Sequence, residues 1–270
     1  MKVEEKLHDV AKNNSLLIMG DSQMQKFSLD SIDGDIYNIA SAGEHYFFTY
    51  SKLQRLVAAD NHKIKTIVLG MSLHNFSPVF MNAFDWNDPE GKEGLQRYLY
   101  FFDLFHNEFM RPHQIILNKD FFLGVIKGPE WGGHDATFGK DPDVALIEGG
   151  LKFLYGDPIN EKVSAMQEFF LDKIVELCKQ ENISLVFVSA PAHQYYKSHV
   201  NEAYYEALRK VADKHSNVLY LNFLTDSTPS IHFSDATHLN KDGAEIYSRK
   251  INLELKNRNT ANQVVLPTGN

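Results

Sequence analysis

Short apolar runs alternate with stretches of helical period along most of this chain. Leu16 to Met19, Asp35 to Ala40, Thr66 to Ser72, Ser184 to Pro191 and Asn217 to Phe223 read as strands, the third almost continuously apolar, as a strand covered on both faces should be. Between them, Tyr46, Tyr50, Leu53 and Val57 mark the inward face of a helix whose polar positions include Lys52, Gln54 and Arg55. A second helix is predicted from a cap at Asp157 and Pro158, with Val163, Met166, Phe170, Ile174 and Leu177 inward. Val200, Tyr204, Leu208 and Val211 predict a third. Asn240 opens a last one, with Ala244, Tyr247, Ile251 and Leu255 inward and a loose tail from about Asn257.

Residues 76–156 break this rhythm. They are rich in aromatics (Trp86, Phe101, Phe102, Phe105, Phe121, Phe122, Trp131) and carry the cluster Gly128 to Gly133. A structureless loop of that length does not suit a compact domain, so an insertion with short helices over the carboxyl edge of the sheet is expected. Strands that alternate with helices imply parallel pairing, right-handed crossovers and helices on both faces. The predicted fold is α/β: a three-layer α/β/α, flavodoxin-like parallel five-stranded sheet with a large insertion after the third strand, in one domain over 1–270.

Composition narrows the function. With 270 residues and a net charge of −8, and without a run of Lys or Arg, the chain has no footprint for nucleic acid. Its single cysteine, Cys178, falls in a periodic helical segment, cannot form an internal disulfide and reads as a small core hydrophobe. No apolar run approaches the roughly twenty residues of a membrane span, and residues 1–14 are polar rather than signal-like. The chain is therefore expected to be soluble as given, either cytoplasmic or an extracytoplasmic domain whose signal or anchor lies outside it. Nothing in the sequence sets an oligomeric state.

Candidate chemistry begins where the first strand ends, at Gly20-Asp21-Ser22. A serine there has its hydroxyl at the carboxyl edge of the sheet and its N–H near a helix N-terminus, where ligands of open α/β sheets bind. Asp235 and His238, three apart before the last helix, can project from one turn, the acid fixing the imidazole tautomer and the other ring nitrogen reaching a serine. The loops after the first and last strands open at the same edge, so Ser22, Asp235 and His238 form a candidate triad for hydrolysis or acyl transfer through a seryl ester. Ser72 in Gly70-Met71-Ser72-Leu73-His74 is a rival nucleophile, but the elbow motif needs glycine where His74 stands. His232, Asp235 and His238 lack the further ligands of a metal centre, and neither metal nor cofactor is expected.

Gly20-Asp21-Ser22, Asn38-Ile39-Ala40-Ser41-Ala42-Gly43 and Asp235-Ala236-Thr237-His238 resemble, in order and spacing, the first, second and fifth blocks of the SGNH (GDSL-type) hydrolase superfamily. That resemblance implies a serine esterase or O-acyltransferase, with Ser22 as nucleophile, Asp235 and His238 as its partners, and the Ser22 and Gly43 N–H groups in the oxyanion hole. The third block departs from the usual Gly-x-Asn-Asp: Ser72 stands at the expected asparagine, so either Ser72 or Asn75 completes the hole. Gln23 replaces the usual leucine. Similar polar replacements occur in relatives that act on cell-surface polysaccharides or transfer acyl groups to them, and the resemblance implies acetylated carbohydrate, or a related small-molecule ester, as substrate. A lysophospholipase or thioesterase, and a catalytically weak glycan-binding module, are the alternatives. Glu44, His45, His74, Trp131 and His193 are candidate substrate-lining residues, with a helix-dipole role open for Glu44 and an aromatic minicore open for Trp131.

Overall fold

The computed structural model describes residues 2–81 and 141–264. Five strands form one parallel sheet in the order β2-β1-β3-β4-β5, where β1 is Leu16–Met19, β2 Ile36–Asn38, β3 Thr66–Gly70, β4 Ser184–Ser189 and β5 Leu219–Asn222. This is the flavodoxin-like order, and pairing runs in register across the middle, Ile18 to Val68 to Val186 to Leu219. β1 has the bounds of its apolar run, whereas the other four strands are shorter than theirs: residues 71–72, 190–191 and 223 have already turned into carboxyl-edge loops.

Alternate strand residues enter opposite layers, which is why both faces of the sheet are apolar. Leu17, Met19, Ile67, Leu69, Leu185 and Phe187 pack with α1 (Lys2–Asn13), α3 (Tyr46–Val57), α5 (Ala165–Gln180) and α7 (Glu202–Lys214). Ile18, Val68, Val186 and Val188 face α2 (Ser22–Gln25) and the long α8 (Lys241–Val264), whose Ala244, Tyr247, Ile251 and Leu255 are inward as the period predicts. Cys178 is buried in the first layer, and desolvation pushes its thiol up to about 12.

Several expectations are corrected. The helix predicted from Asp157 starts at Ala165 after an N-cap at Ser164, because Asp157 and Pro158 lie in a turn whose Asn160 side chain donates to the Tyr155 carbonyl. Its buried face is Gln167, Phe170, Leu171, Ile174 and Cys178. Val200 lies just beyond a short helix, α6 (Gln194–His199), that the periodicity missed. The last helix continues past Asn257 to Val264. The polar N-terminus forms α1, which buries Leu7, Val10 and Ala11 against the core. Lys52, one of the polar positions between the inward residues of α3, is fully buried.

Of the expected insertion, Phe76 belongs to the main core, as do Ile147, Leu151 and Tyr155 of α4 (Val144–Tyr155). Residues 82–140, including Trp131, lie outside the described residues.

Candidate active site

The first βα turn is built around Asp21. It caps α2, its Oδ1 accepting the Gln23 N–H at 2.9 Å, which leaves Ser22 as the first helical residue, half-buried at the carboxyl edge. Asp21 Oδ2 meets His74 Nε2 and Asn75 Nδ2, each at 2.6 Å. Burial favours the neutral acid, yet the His74 charge and these hydrogen bonds outweigh it and hold the carboxyl below its usual range. Asn38, at the end of β2, donates to the Met24 carbonyl at 2.9 Å and accepts the Ala40 N–H at 3.0 Å, fixing α2 against the loop that carries Gly43.

The other half comes from the loop after β5. β5 lies three strands from β1, roughly 14 Å at about 4.8 Å per strand, and residues 223–240 cover that distance back across the edge. Their turn is closed by a bridge between Phe233 and Leu239 and by the Ser234 N–H bonding the His238 carbonyl at 2.9 Å. Gly243 in the first turn of α8 lets the His232 carbonyl approach so closely that any Cβ would clash with it. Asp235 Oδ1 accepts the N–H groups of Thr237 and His238, each at 2.9 Å.

His238 Nδ1 lies 2.8 Å from Asp235 Oδ2, and His238 Nε2 lies 2.6 Å from Ser22 Oγ. A carboxylate only accepts, so the imidazole proton sits on Nδ1 and the Nε2 lone pair faces the serine hydroxyl. Partial burial raises the affinity of Asp235 for a proton, but His238 and the two backbone donors outweigh it and bring the carboxyl down to about 2. Asp235 is thus an anion wherever an imidazole can act as a base.

The remaining predicted residues fall into distinct settings. Gly43 has φ of +65°, the left-handed region that favours glycine, and no described residue accepts a hydrogen bond from its N–H or from that of Ser22. Ser72 is buried with its hydroxyl donating to Gln23 Oε1 at 2.6 Å. Asn75 accepts the Ser72 N–H at 2.7 Å and gives one N–H to Asp21, keeping the other out of any hydrogen bond among the described residues. Glu44 does not line a cleft: it is buried against Lys52 and accepts from Thr49 Oγ1 at 2.6 Å. His45 is buried against Phe48 and Phe80, and desolvation lowers it to about 4 despite a backbone hydrogen bond to Phe80. His74 is buried behind the turn that carries Ser22, on Asp21, not on an open surface.

His193 Nε2 pairs with Ser230 Oγ, a second histidine and serine in contact. Its Nδ1 accepts the Tyr195 N–H at 3.2 Å, so the ring proton is on Nε2 and donates to Ser230; in this state His193 is no base for that serine. Asp21, Asn38 and Gln23 shape the site in ways the sequence did not announce, although an Asp directly before Ser22 is a legible N-cap signal. Among the described residues, no group of three His, Cys, Asp or Glu side chains could hold a metal ion, and no helix is long and apolar enough to cross a membrane.

No protein-family model matches the chain, and neither does any curated protein sequence. Solved structures with similar folds include a GDSL-like lipase from Bacteroides thetaiotaomicron (10% identity, 95% of this chain and 97% of that one, TM-score 0.46). An acetyl xylan esterase is 14% identical over 87% of this chain and 97% of its own, with a TM-score of 0.42. A carbohydrate acetylesterase from Sinorhizobium meliloti is 13% identical over 90% and 98%, with a TM-score of 0.37.

Proposed function

We propose that this chain is a serine esterase or O-acyltransferase of the SGNH type. The observation that carries the reading is the hydrogen-bonded line from Asp235 through His238 to Ser22, formed by turns 216 residues apart and oriented so that a basic nitrogen meets a serine hydroxyl at a helix N-terminus. His238 Nε2 takes the Ser22 proton as Oγ attacks the carbonyl carbon of an ester. The negative charge on the former carbonyl oxygen is met by the Ser22 and Gly43 N–H groups, with the free N–H of Asn75 as third donor; Ser72 commits its only hydroxyl proton to Gln23.

Collapse of the intermediate breaks the bond to the alcohol, which leaves with the proton held by His238. Water or a second hydroxyl, deprotonated by the same nitrogen, then releases the acyl group from Ser22. Acetylated carbohydrate is the substrate class that the resemblance of the sequence blocks supports.

Labelling with a fluorophosphonate, followed by mapping of the modified residue, tests the nucleophile without a known substrate. Ser22 is expected to carry the label, and Ser22→Ala to lose both labelling and short-chain ester turnover by about a thousandfold or more. Undiminished turnover in Ser22→Ala, or a label mapped to Ser72 or Ser230, would overturn the assignment.

A further inference from the structure

Gln23 follows Ser22 and is 5% exposed, and both ends of its carboxamide are held by other segments of the chain. Nε2 donates to the Thr237 carbonyl at 2.8 Å, and Oε1 accepts from Ser72 Oγ at 2.6 Å. The orientation is chemically fixed, because a carbonyl oxygen only accepts and the amide nitrogen must face Thr237. Ser72 is itself held by Asn75, which is tied to Asp21. One side chain therefore joins the turns after β1, β3 and β5.

Thr237 lies between Asp235 and His238. The hydrogen bonds that shape its turn are mostly internal to it, from the Thr237 and His238 N–H groups to Asp235 and from Ser234 to His238. His193 N–H holds the Ala236 carbonyl at 3.0 Å, which anchors the turn to the loop after β4. Within the described residues, the only hydrogen bond from the nucleophile turn to this one, apart from the contact between Ser22 and His238, is that of Gln23.

We infer that Gln23 is a positioning residue: by holding the Thr237 carbonyl, it sets where the His238 base stands relative to Ser22. The inference rests on the triad reading above. It gives residue 23 a requirement that packing alone would not, namely a donor toward Thr237 and an acceptor toward Ser72 on one short arm. An error of about 1 Å in such a placement costs on the order of a hundredfold in rate.

The test is the rate at which a fluorophosphonate modifies Ser22, measured from about pH 5 to 9 in the wild type, Gln23→Glu and Gln23→Leu, alongside each thermal midpoint. Glu keeps the shape and the acceptor for Ser72, but when ionised it turns a second acceptor on the Thr237 carbonyl; protonated, it donates there as Gln does. The ratio of the Gln23→Glu rate to that of the wild type is expected to fall by about tenfold or more as pH rises, while the Gln23→Leu ratio is low and flat. Ratios that stay flat for both variants, whether near one or merely lowered in step with the thermal midpoint, overturn the positioning role. If Gln23→Leu does not fold, Gln23→Glu at low and high pH decides alone. A wild type that takes no label at Ser22 overturns the triad reading, and the positioning role with it, whereas a labelled wild type with flat ratios overturns the positioning role only.

Discussion

Asp235 decides which nitrogen of His238 is basic. Replacing it with asparagine keeps an oxygen for the Thr237 and His238 N–H groups, but presents an amide donor or a neutral acceptor where a carboxylate faced Nδ1. The ring is then free to carry its proton on Nε2, pointing at Ser22, and the charge that stabilises the imidazolium is lost. Asp235→Asn is expected to fold with a near-native thermal midpoint and to lower kcat on the order of a thousandfold or more, measured on a short-chain ester. Ser22, Asp235 and His238, the residues of the proposed triad, stand out in the sequence because their signals are local: a turn after a strand, and an acid three residues before a histidine. The surroundings of Ser22 were not legible in the same way. Asp21 with His74, and Gln23 with Thr237, meet across 53 and 214 residues respectively, and nothing in residue type or local spacing announces such a partner.

At the scale of elements, α3 shows how a period can mislead. Lys52 sits among helix positions that read as polar and outward, but its ammonium is buried against Glu44 and the Ile39 carbonyl. The Glu44 carboxylate precedes the helix by two residues, so the pair nails the loop after β2, and Gly43 within it, onto α3. Burial disfavours the charged lysine, and the facing carboxylate opposes that effect. Lys52→Met leaves a carboxylate buried without its cation and is expected to cost about 3–5 kcal/mol in urea unfolding. The double variant Lys52→Met with Glu44→Leu removes both charges and should recover most of that loss. A double variant as unstable as the single one would show that the loop depends on something other than the pair. The strands were easier to read because a strand buried on both faces announces itself by continuous apolar residues, with no distant partner required. α1 was missed for the opposite reason: among its described side chains the buried hydrophobics are Leu7, Val10 and Ala11, too few to stand out in a polar stretch.

For the whole molecule, the sheet order β2-β1-β3-β4-β5 places the change of winding direction between β1 and β3, and Ser22, Ser72 and Asn75 all leave from that point. Burial of a titratable ring in the loop after β2 has a consequence for global stability in acid. His45 is buried, and its folded-state pKa is down at about 4 from an ordinary 6.5. The unfolded chain then binds the extra proton first, so the stability contributed by neutral His45 is complete above about pH 6.5 and is lost as pH falls toward 4, by roughly 2–3 kcal/mol at pH 4.5. Asp235, at about 2 against an ordinary 3.8, acts in a lower window: its contribution is complete above about pH 4 and disappears toward 2. Its side chain is 38% exposed, so solvent screening makes that loss the smaller of the two. Urea midpoints at pH 7 and 4.5 separate the two windows, since of these two groups only His45 titrates between them. The wild type is expected to lose stability over that step, whereas His45→Leu, whatever its stability at pH 7, should lose about 2 kcal/mol less. Equal losses in both would mean that the buried imidazole is not the group through which acid first loosens the fold.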